Sequence, residues 1–406
     1  MLGILIFAGV VLHTIPIDEP VLDARVADVD ADGKDDIVAV TAKELLVLDA
    51  SGKIKARYPA PPLTIIGRGL LAVGGTEGVR HIDGTKIGPP ALLGGLARGK
   101  PVIAISPGDL DGDGKDDAVY ATRSGIIVPG SVIPSRPAAI LEIKRAEAFA
   151  VQYAIPVPAI GGWSGTDVEC VLYDENTIRA YRGAQETARL TLPLKDLTPE
   201  AEGIRRNDVF LADIDRNRRL DLILVMGKGS TMMFSEFEVS IWQFPGGRIY
   251  DEKRKGFYRP ATVIKLAGAL IGSDVFDCSG DGKRDLVIDT VSTSVLANAT
   301  GTHQVFLCKD GKLERKAAWE YRASIPMSTF KAEPDFPVTV LPDLDGDRRP
   351  ELIDRRKGVA LLQGNAKGGF DKGATWDGSA RRPAFGRRLA VMITEKGLLV
   401  AKRAVR

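Results

Sequence analysis

Residues 26–40 read Val26-Ala27-Asp28-Val29-Asp30-Ala31-Asp32-Gly33-Lys34-Asp35-Asp36-Ile37-Val38-Ala39-Val40. Acidic side chains stand at places 1, 3, 5 and 9 of a nine-residue loop, glycine stands at place 6, and β-prone apolar residues follow. The frame returns four times. Loop two runs Asp109-Leu110-Asp111-Gly112-Asp113-Gly114-Lys115-Asp116-Asp117, and loop three Asp213-Ile214-Asp215-Arg216-Asn217-Arg218-Arg219-Leu220-Asp221. Loop four runs Asp277-Cys278-Ser279-Gly280-Asp281-Gly282-Lys283-Arg284-Asp285, and loop five Asp343-Leu344-Asp345-Gly346-Asp347-Arg348-Arg349-Pro350-Glu351.

The frame suits a hard cation. Calcium takes six to eight oxygens at about 2.3–2.6 Å. Alternate residues of a tight loop turn their side chains to one side, and a glycine permits the reversal. The ligand sets this predicts are Asp28, Asp30, Asp32 and Asp36; Asp109, Asp111, Asp113 and Asp117; Asp213, Asp215, Asn217 and Asp221; Asp277, Ser279, Asp281 and Asp285; and Asp343, Asp345, Asp347 and Glu351. Place 7 supplies only a backbone carbonyl, from Lys34, Lys115, Arg219, Lys283 and Arg349, so those bases point outward and temper the acidic loop.

One acidic turn is commonplace, but five on one apolar frame are not, because carboxylates this crowded repel one another without a cation. Loops one and two, with five acids each, are the strongest candidates. Loops three and four replace one carboxylate with Asn217 and Ser279, and loops three and five carry Arg218 and Arg348 at place 6. Loop three departs twice and is the first expected to be empty.

These are not EF-hand loops. That motif needs a bidentate glutamate at place 12 and a helix on each side. Place 12 here is Ala39, Tyr120, Leu224, Ile288 and Asp354. Place 2 and place 10 are small or apolar throughout, and runs such as Leu222-Ile223-Leu224-Val225 follow. Short apolar runs read as strands buried on both faces. Each loop therefore joins two strands, the second of which lies between layers.

The first aspartates stand at 28, 109, 213, 277 and 343, at intervals of 81, 104, 64 and 66. The last two suggest a unit near 65 residues; the first two leave room for loopless units over 63–93 and 157–192. Seven units result, with approximate bounds 15–60, 61–97, 98–155, 156–200, 203–265, 266–332 and 335–406. Hairpin turns are read at Ser51-Gly52, Gly246-Gly247, Asp310-Gly311 and Lys396-Gly397. Only 138–153 and 195–206 have a helical cast. The expectation is an all-β fold, a β-propeller of seven blades with four antiparallel strands each.

The stretches at 26–40, 107–120 and 340–347 resemble the calcium-loop half of an FG-GAP or VCBS repeat. Such repeats build the propeller of integrin α-chains and of many secreted bacterial proteins. The resemblance implies calcium between the first two strands of a blade, with up to five structural ions. The Phe-Gly…Gly-Ala-Pro signature is missing, so the bacterial, loop-only variety is the closer likeness.

Composition narrows the function. With 55 Lys+Arg against 53 Asp+Glu and 44% apolar residues, the chain is neither a disordered tail nor a strongly basic nucleic-acid binder. Three cysteines build no disulfide framework, which leaves the metal as the staple. The apolar run Leu2–Leu12 is too short to span a bilayer and reads either as a signal core or as a first strand. His13, His81 and His303 have no ligand or triad spacing. Cys170 and Cys278 read as buried thiols, Cys278–Cys308 as a less favoured bridge, Trp163 as a rim residue, and Arg381, Arg382, Arg387 and Arg388 as a solvated face. The expectation is a monomeric, extracellular, periplasmic or cell-surface module that binds a protein or glycan and is not an enzyme. The competing reading is a polysaccharide lyase or glycosidase built on the same propeller.

Overall fold

The computed structural model describes residues 5–59 apart from 8 and 31; the strands between 63 and 191; 206–228 apart from 218; 237–251 apart from 248 and 249; 256–257; 260–326 apart from 294–297; and 337–403 apart from 382. Across 63–188 the description is of backbone alone. Among the described residues the one helical element is a 3₁₀ turn at Pro245–Gly247. The rest of the regular structure is antiparallel sheet.

Seven sheets are four-stranded antiparallel meanders, spanning 21–59, 63–90, 102–141, 159–191, 206–267, 269–326 and 338–376, the fifth and sixth with a two-stranded hairpin set between their third and fourth strands. An eighth joins Val10–Pro16 to Gly397–Arg403, Leu389–Thr394 and Ala384–Phe385. The loop intervals predicted seven units, five with a loop and two without. They assigned 335–406 to a single unit, whereas those residues supply a whole meander and the C-terminal half of another sheet. The helical cast of 138–153 also yields, since Ala139–Leu141 is the fourth strand of the third sheet and pairs Val128 with Ala139. The remainder of that stretch, and 195–205, lie outside the described residues.

The chain divides into two compact units, one of residues 11–192 with 383–402, the other of 193–382 with 5–10 and 403–406. In the first, the leading strands of successive sheets lie side by side: Val21–Ala27 beside Leu63–Gly67, that strand beside Val102–Gly108, and that beside Ala159–Gly161. In the second unit, the leading strand of the sixth sheet, Ala269–Phe276, packs against the first three strands of the fifth.

Alternation along each second strand explains the packing. In the first sheet, Ile37 and Ala39 join a cluster with Ile15, Val391, Leu398 and Val400 of the eighth sheet. Val38 and Val40 face the other way, with Leu45, Val47 and Tyr58. In the sixth sheet, Leu286 and Ile288 meet Ile223, Val225 and Ile241 of the fifth, while Val287 meets Val340, Leu352 and Leu362 of the seventh. A strand with core on both faces must be apolar at successive positions, which is the run seen after every loop. Each fully buried Ile, Leu or Val contributes about 1.5–3 kcal/mol.

Two sets of polar side chains tie neighbouring sheets together. Gln243 is fully buried; its Nε2 donates to Gly311 O and its Oε1 accepts from Leu313 N, both at 2.8 Å. It thereby ties the fifth sheet to the hairpin Cys308–Leu313 of the sixth, whose turn residues Asp310 and Gly311 have φ of 49° and 72°. Arg356 grips Asp354 through Nε and donates to the Tyr321 hydroxyl at 3.0 Å, while Tyr321 donates to Asp354 at 2.9 Å. That network links the sixth and seventh sheets.

Candidate metal centres

All five loops fall at the same place, between the first and second strands of a sheet, and in each the place-9 acid opens the second strand: Asp36, Asp117, Asp221, Asp285 and Glu351. The second and fourth sheets, over 63–90 and 159–191, are the two without it. Asp109, Asp111, Asp113 and Lys115 of loop two lie outside the described residues, and Asp117 is described by its backbone.

The four described loops share one set of hydrogen bonds. The place-9 carboxylate accepts the N–H of place 2: Val29 to Asp36 at 3.3 Å, Ile214 to Asp221 at 3.1 Å, Cys278 to Asp285 at 3.0 Å and Leu344 to Glu351 at 2.7 Å. The apolar anchor at place 2 thus delivers an amide as well as a side chain. The place-1 carboxylate accepts the place-6 N–H in loops one, four and five, from Gly33, Gly282 and Arg348, at 3.1, 2.8 and 3.0 Å. Place 5 accepts from place 7 in loops one, three and four, with Lys34, Arg219 and Lys283 donating at 2.8 Å to Asp32, Asn217 and Asp281. These bonds wind the backbone around the carboxylates. The bases at place 7 sit outside: Lys34 is 82% exposed and 3.5 Å from Asp32, and Arg349 lies 3.8 Å from Asp347.

Convergence differs from loop to loop. Single oxygens of Asp28, Asp30 and Asp32 come within 4.8 Å of one another, as do those of Asp213, Asp215 and Asp221, and those of Asp343, Asp345 and Glu351. Loop three, weakest by sequence, therefore gathers its acids as loop one does. Loop four does not bring three acids so close, although its Ser279 is buried and the Ser279 N–H donates to Asp285 at 3.2 Å. Asp36 is not one of the loop-one trio, nor Asp347 of that in loop five.

Loop five is the most enclosed, with Asp343, Asp345 and Glu351 all buried. Among the described residues, the buried Glu351 Oε1 has no hydrogen-bond partner. Loss of water raises these acids. Glu351 is pushed up to about 9 and Asp345 to about 6 by burial, with the neighbouring carboxylates adding to it. Burial likewise lifts Asp285 to about 7 and Asp221 to about 6. A bound divalent cation removes this penalty by ionising the group. Hard oxygens, enclosed and crowded, fit calcium in kind.

Three partners of the loops were not legible in the nine-residue frame. Lys55, in the fourth strand of the first sheet, pairs with Asp30 and Asp36 of loop one. Gln363 donates to Asp345 at 2.5 Å and Asp347 at 3.2 Å. Arg216 of loop three lies so close over loop four that a β-carbon on Gly282 would collide with its guanidinium. Each comes from a neighbouring strand or loop, so only the strand register brings it in.

Other residues weighed from sequence take structural places. Leu5–Phe7 and Val10–Pro16 are strands. His13 is buried without a hydrogen-bond partner, and burial, then nearby Lys402, holds its pKa below the ordinary value. His303 is buried with Nδ1 2.7 Å from Asp289. Cys278 and Cys308 are buried free thiols, not a bridge; both backbone amides serve Asp285. Cys170 and His81 lie in strands described by backbone alone, and Trp163 and Arg382 lie outside the described residues. Arg381, Arg387 and Arg388 are exposed.

No protein-family model matches the chain, and neither does any curated protein. Solved structures overlap it loosely. BBS1N, from a crystal with ARL6DN soaked with mercury, is 10% identical over 100% of this chain and 97% of its own, at a TM-score of 0.44. BamB from Moraxella catarrhalis is 14% identical over 99% and 97%, at 0.45. XC5397, a gluconolactonase from Xanthomonas campestris, is 11% identical over 98% and 91%, at 0.33. Overlaps this loose fix neither the arrangement of the sheets nor a function. Among the described residues no helix is long and apolar enough to cross a membrane.

Proposed function

We propose that the chain is a calcium-stabilised β-propeller of the FG-GAP/VCBS kind, a secreted or cell-surface module that binds a protein or glycan partner and does no chemistry of its own. The observation that carries this reading is the common placement of the loops. Five nine-residue acidic loops join the first and second strands of five separate meanders, and three of them draw carboxylate oxygens together. Repeated meanders whose leading strands neighbour one another are the building pattern of a propeller, and a sheet built from both ends of the sequence is the seam that closes one. In loop five, Asp343, Asp345 and Glu351 would hold the ion, which supplies charge neutralisation.

A metal that binds the folded state alone stabilises it by RT ln(1 + [L]/Kd), about 1.4 kcal/mol per site at ten times Kd. Weak sites of this kind suit a calcium-rich compartment outside the cytoplasm. A binding role is preferred because the acids that cluster belong to the repeated loops, where metal ligation accounts for them. The test is a thermal melt of the whole chain in EDTA and in millimolar calcium. Calcium is expected to raise the midpoint by several degrees, and a midpoint indifferent to both would sink the reading.

A further inference from the structure

Loop one carries a positive charge of its own. Lys55 belongs to the fourth strand of the first sheet, Ile54–Pro59. Pairing there passes from Val47 with Ala56 to Leu48 with Ile54, so Lys55 is the extra residue of a β-bulge. Bulges re-aim side chains, and this one turns Lys55 over the loop. Its ammonium lies 2.6 Å from Asp36 Oδ1 and 3.0 Å from Asp30 Oδ2. The Asp36 side chain is 1% exposed and that of Lys55 30%, so the pair is largely shielded from water. One tethered cation thus occupies two of the loop's four acids, at places 3 and 9. The other described loops satisfy the second oxygen of place 9 differently. Backbone amides of Gly246 and Cys308 reach Asp221 and Asp285 at 2.6 and 3.0 Å, and Glu351 Oε1 has no partner.

We propose that Lys55 is the resident counter-ion of loop one and keeps a divalent cation out of it, although by its acids this loop ranks first for calcium. The inference rests on the calcium reading of the other loops. An ammonium and a calcium ion repel at one site, and a tethered cation acts at high effective concentration, with no association entropy to lose. A divalent ion must therefore break the pair with a buried carboxylate before it can enter.

Bound calcium per chain, measured by atomic emission after dialysis against calcium chloride, tests this on wild type and on Lys55→Met, which keeps an unbranched stem and removes the charge. The variant is expected to hold one ion more than wild type, to melt below wild type in EDTA, and to regain that loss in calcium. Asp28→Asn in the wild-type background is expected to leave the count unchanged. An equal count in Lys55→Met and wild type overturns the proposal, as does a count that drops in Asp28→Asn, which also decides the matter should Lys55→Met fail to fold. If the wild-type count falls in Asp345→Asn while Lys55→Met gains nothing, the Lys55 proposal alone fails. No calcium bound to either protein removes the calcium reading as well.

Discussion

Arg348 holds a left-handed backbone conformation, φ 68°, at the loop place where Gly33 and Gly282 have φ of 84° and 87°. A β-carbon there costs about 1–2 kcal/mol, part of which is offset because arginine restricts the unfolded chain more than glycine does. The Arg348 amide is what loop five needs, since it donates to Asp343, and glycine keeps that amide. Arg348→Gly should therefore raise the stability of the protein by about 0.5–1 kcal/mol, read as a higher urea midpoint in EDTA. A lower midpoint would show that the side chain matters more than the strain. Residues of this kind were half legible. The departure from glycine is plain in the sequence, but the fact that the loop keeps its left-handed turn regardless is not. Lys55 and Gln243 were illegible for another reason, since their partners lie in other strands and nothing near them in the chain announces a role.

At the scale of the loops, burial of acids sets a pH dependence. Asp221 and Asp345 rise to about 6, Asp285 to about 7 and Glu351 to about 9, all chiefly through loss of water. A carboxyl with a raised folded pKa lends its full stability below its unfolded value and forfeits it as pH climbs through the folded one. The metal-free protein should therefore lose stability steadily from about pH 4 to about pH 9. Asp49 and Asp354 are held below the usual carboxylate range by hydrogen bonds that outweigh their burial, so they titrate beneath that window. Urea midpoints in EDTA at pH 5, 7 and 9 check the slope, and a midpoint that climbs with pH would contradict it. Calcium should flatten the fall, because a bound cation keeps these groups ionised at little cost. The loops and the strands after them were the legible elements. Ligand spacing is local, and the apolar run Ile37–Val40 or Leu222–Val225 reports burial on two faces directly. The positions of the amides that cap place 9 were not, because they depend on how the third strand ends.

For the molecule as a whole, the least legible feature is the eighth sheet. Its strands come from opposite ends of the described sequence, so no window of residues displays it, and a count of units from the loop intervals overlooks it. Its contribution is large. Leu398 is fully buried in a cluster with Ile15, Ile37 and Ala39. Leu398→Ala should cost about 2–5 kcal/mol, and amide exchange should quicken in Ile37–Ala39 as well as around the mutation. Faster exchange confined to 384–403 would mean that the two ends stabilise themselves independently.

Two further contacts bind the same region over great sequence distance: Lys402 donates to Ala50 O at 2.7 Å across 352 positions, and the Arg388 amide to Asp35 at 2.9 Å across 353. On the ribosome, Val10–Pro16 is made long before its partner Gly397–Arg403. Until that partner emerges, the early strand presents a bare, apolar edge of the kind that invites pairing with other chains. A chain cut short near residue 380 lacks Gly397–Arg403 altogether, and should yield a product that chaperones retain and proteases clear.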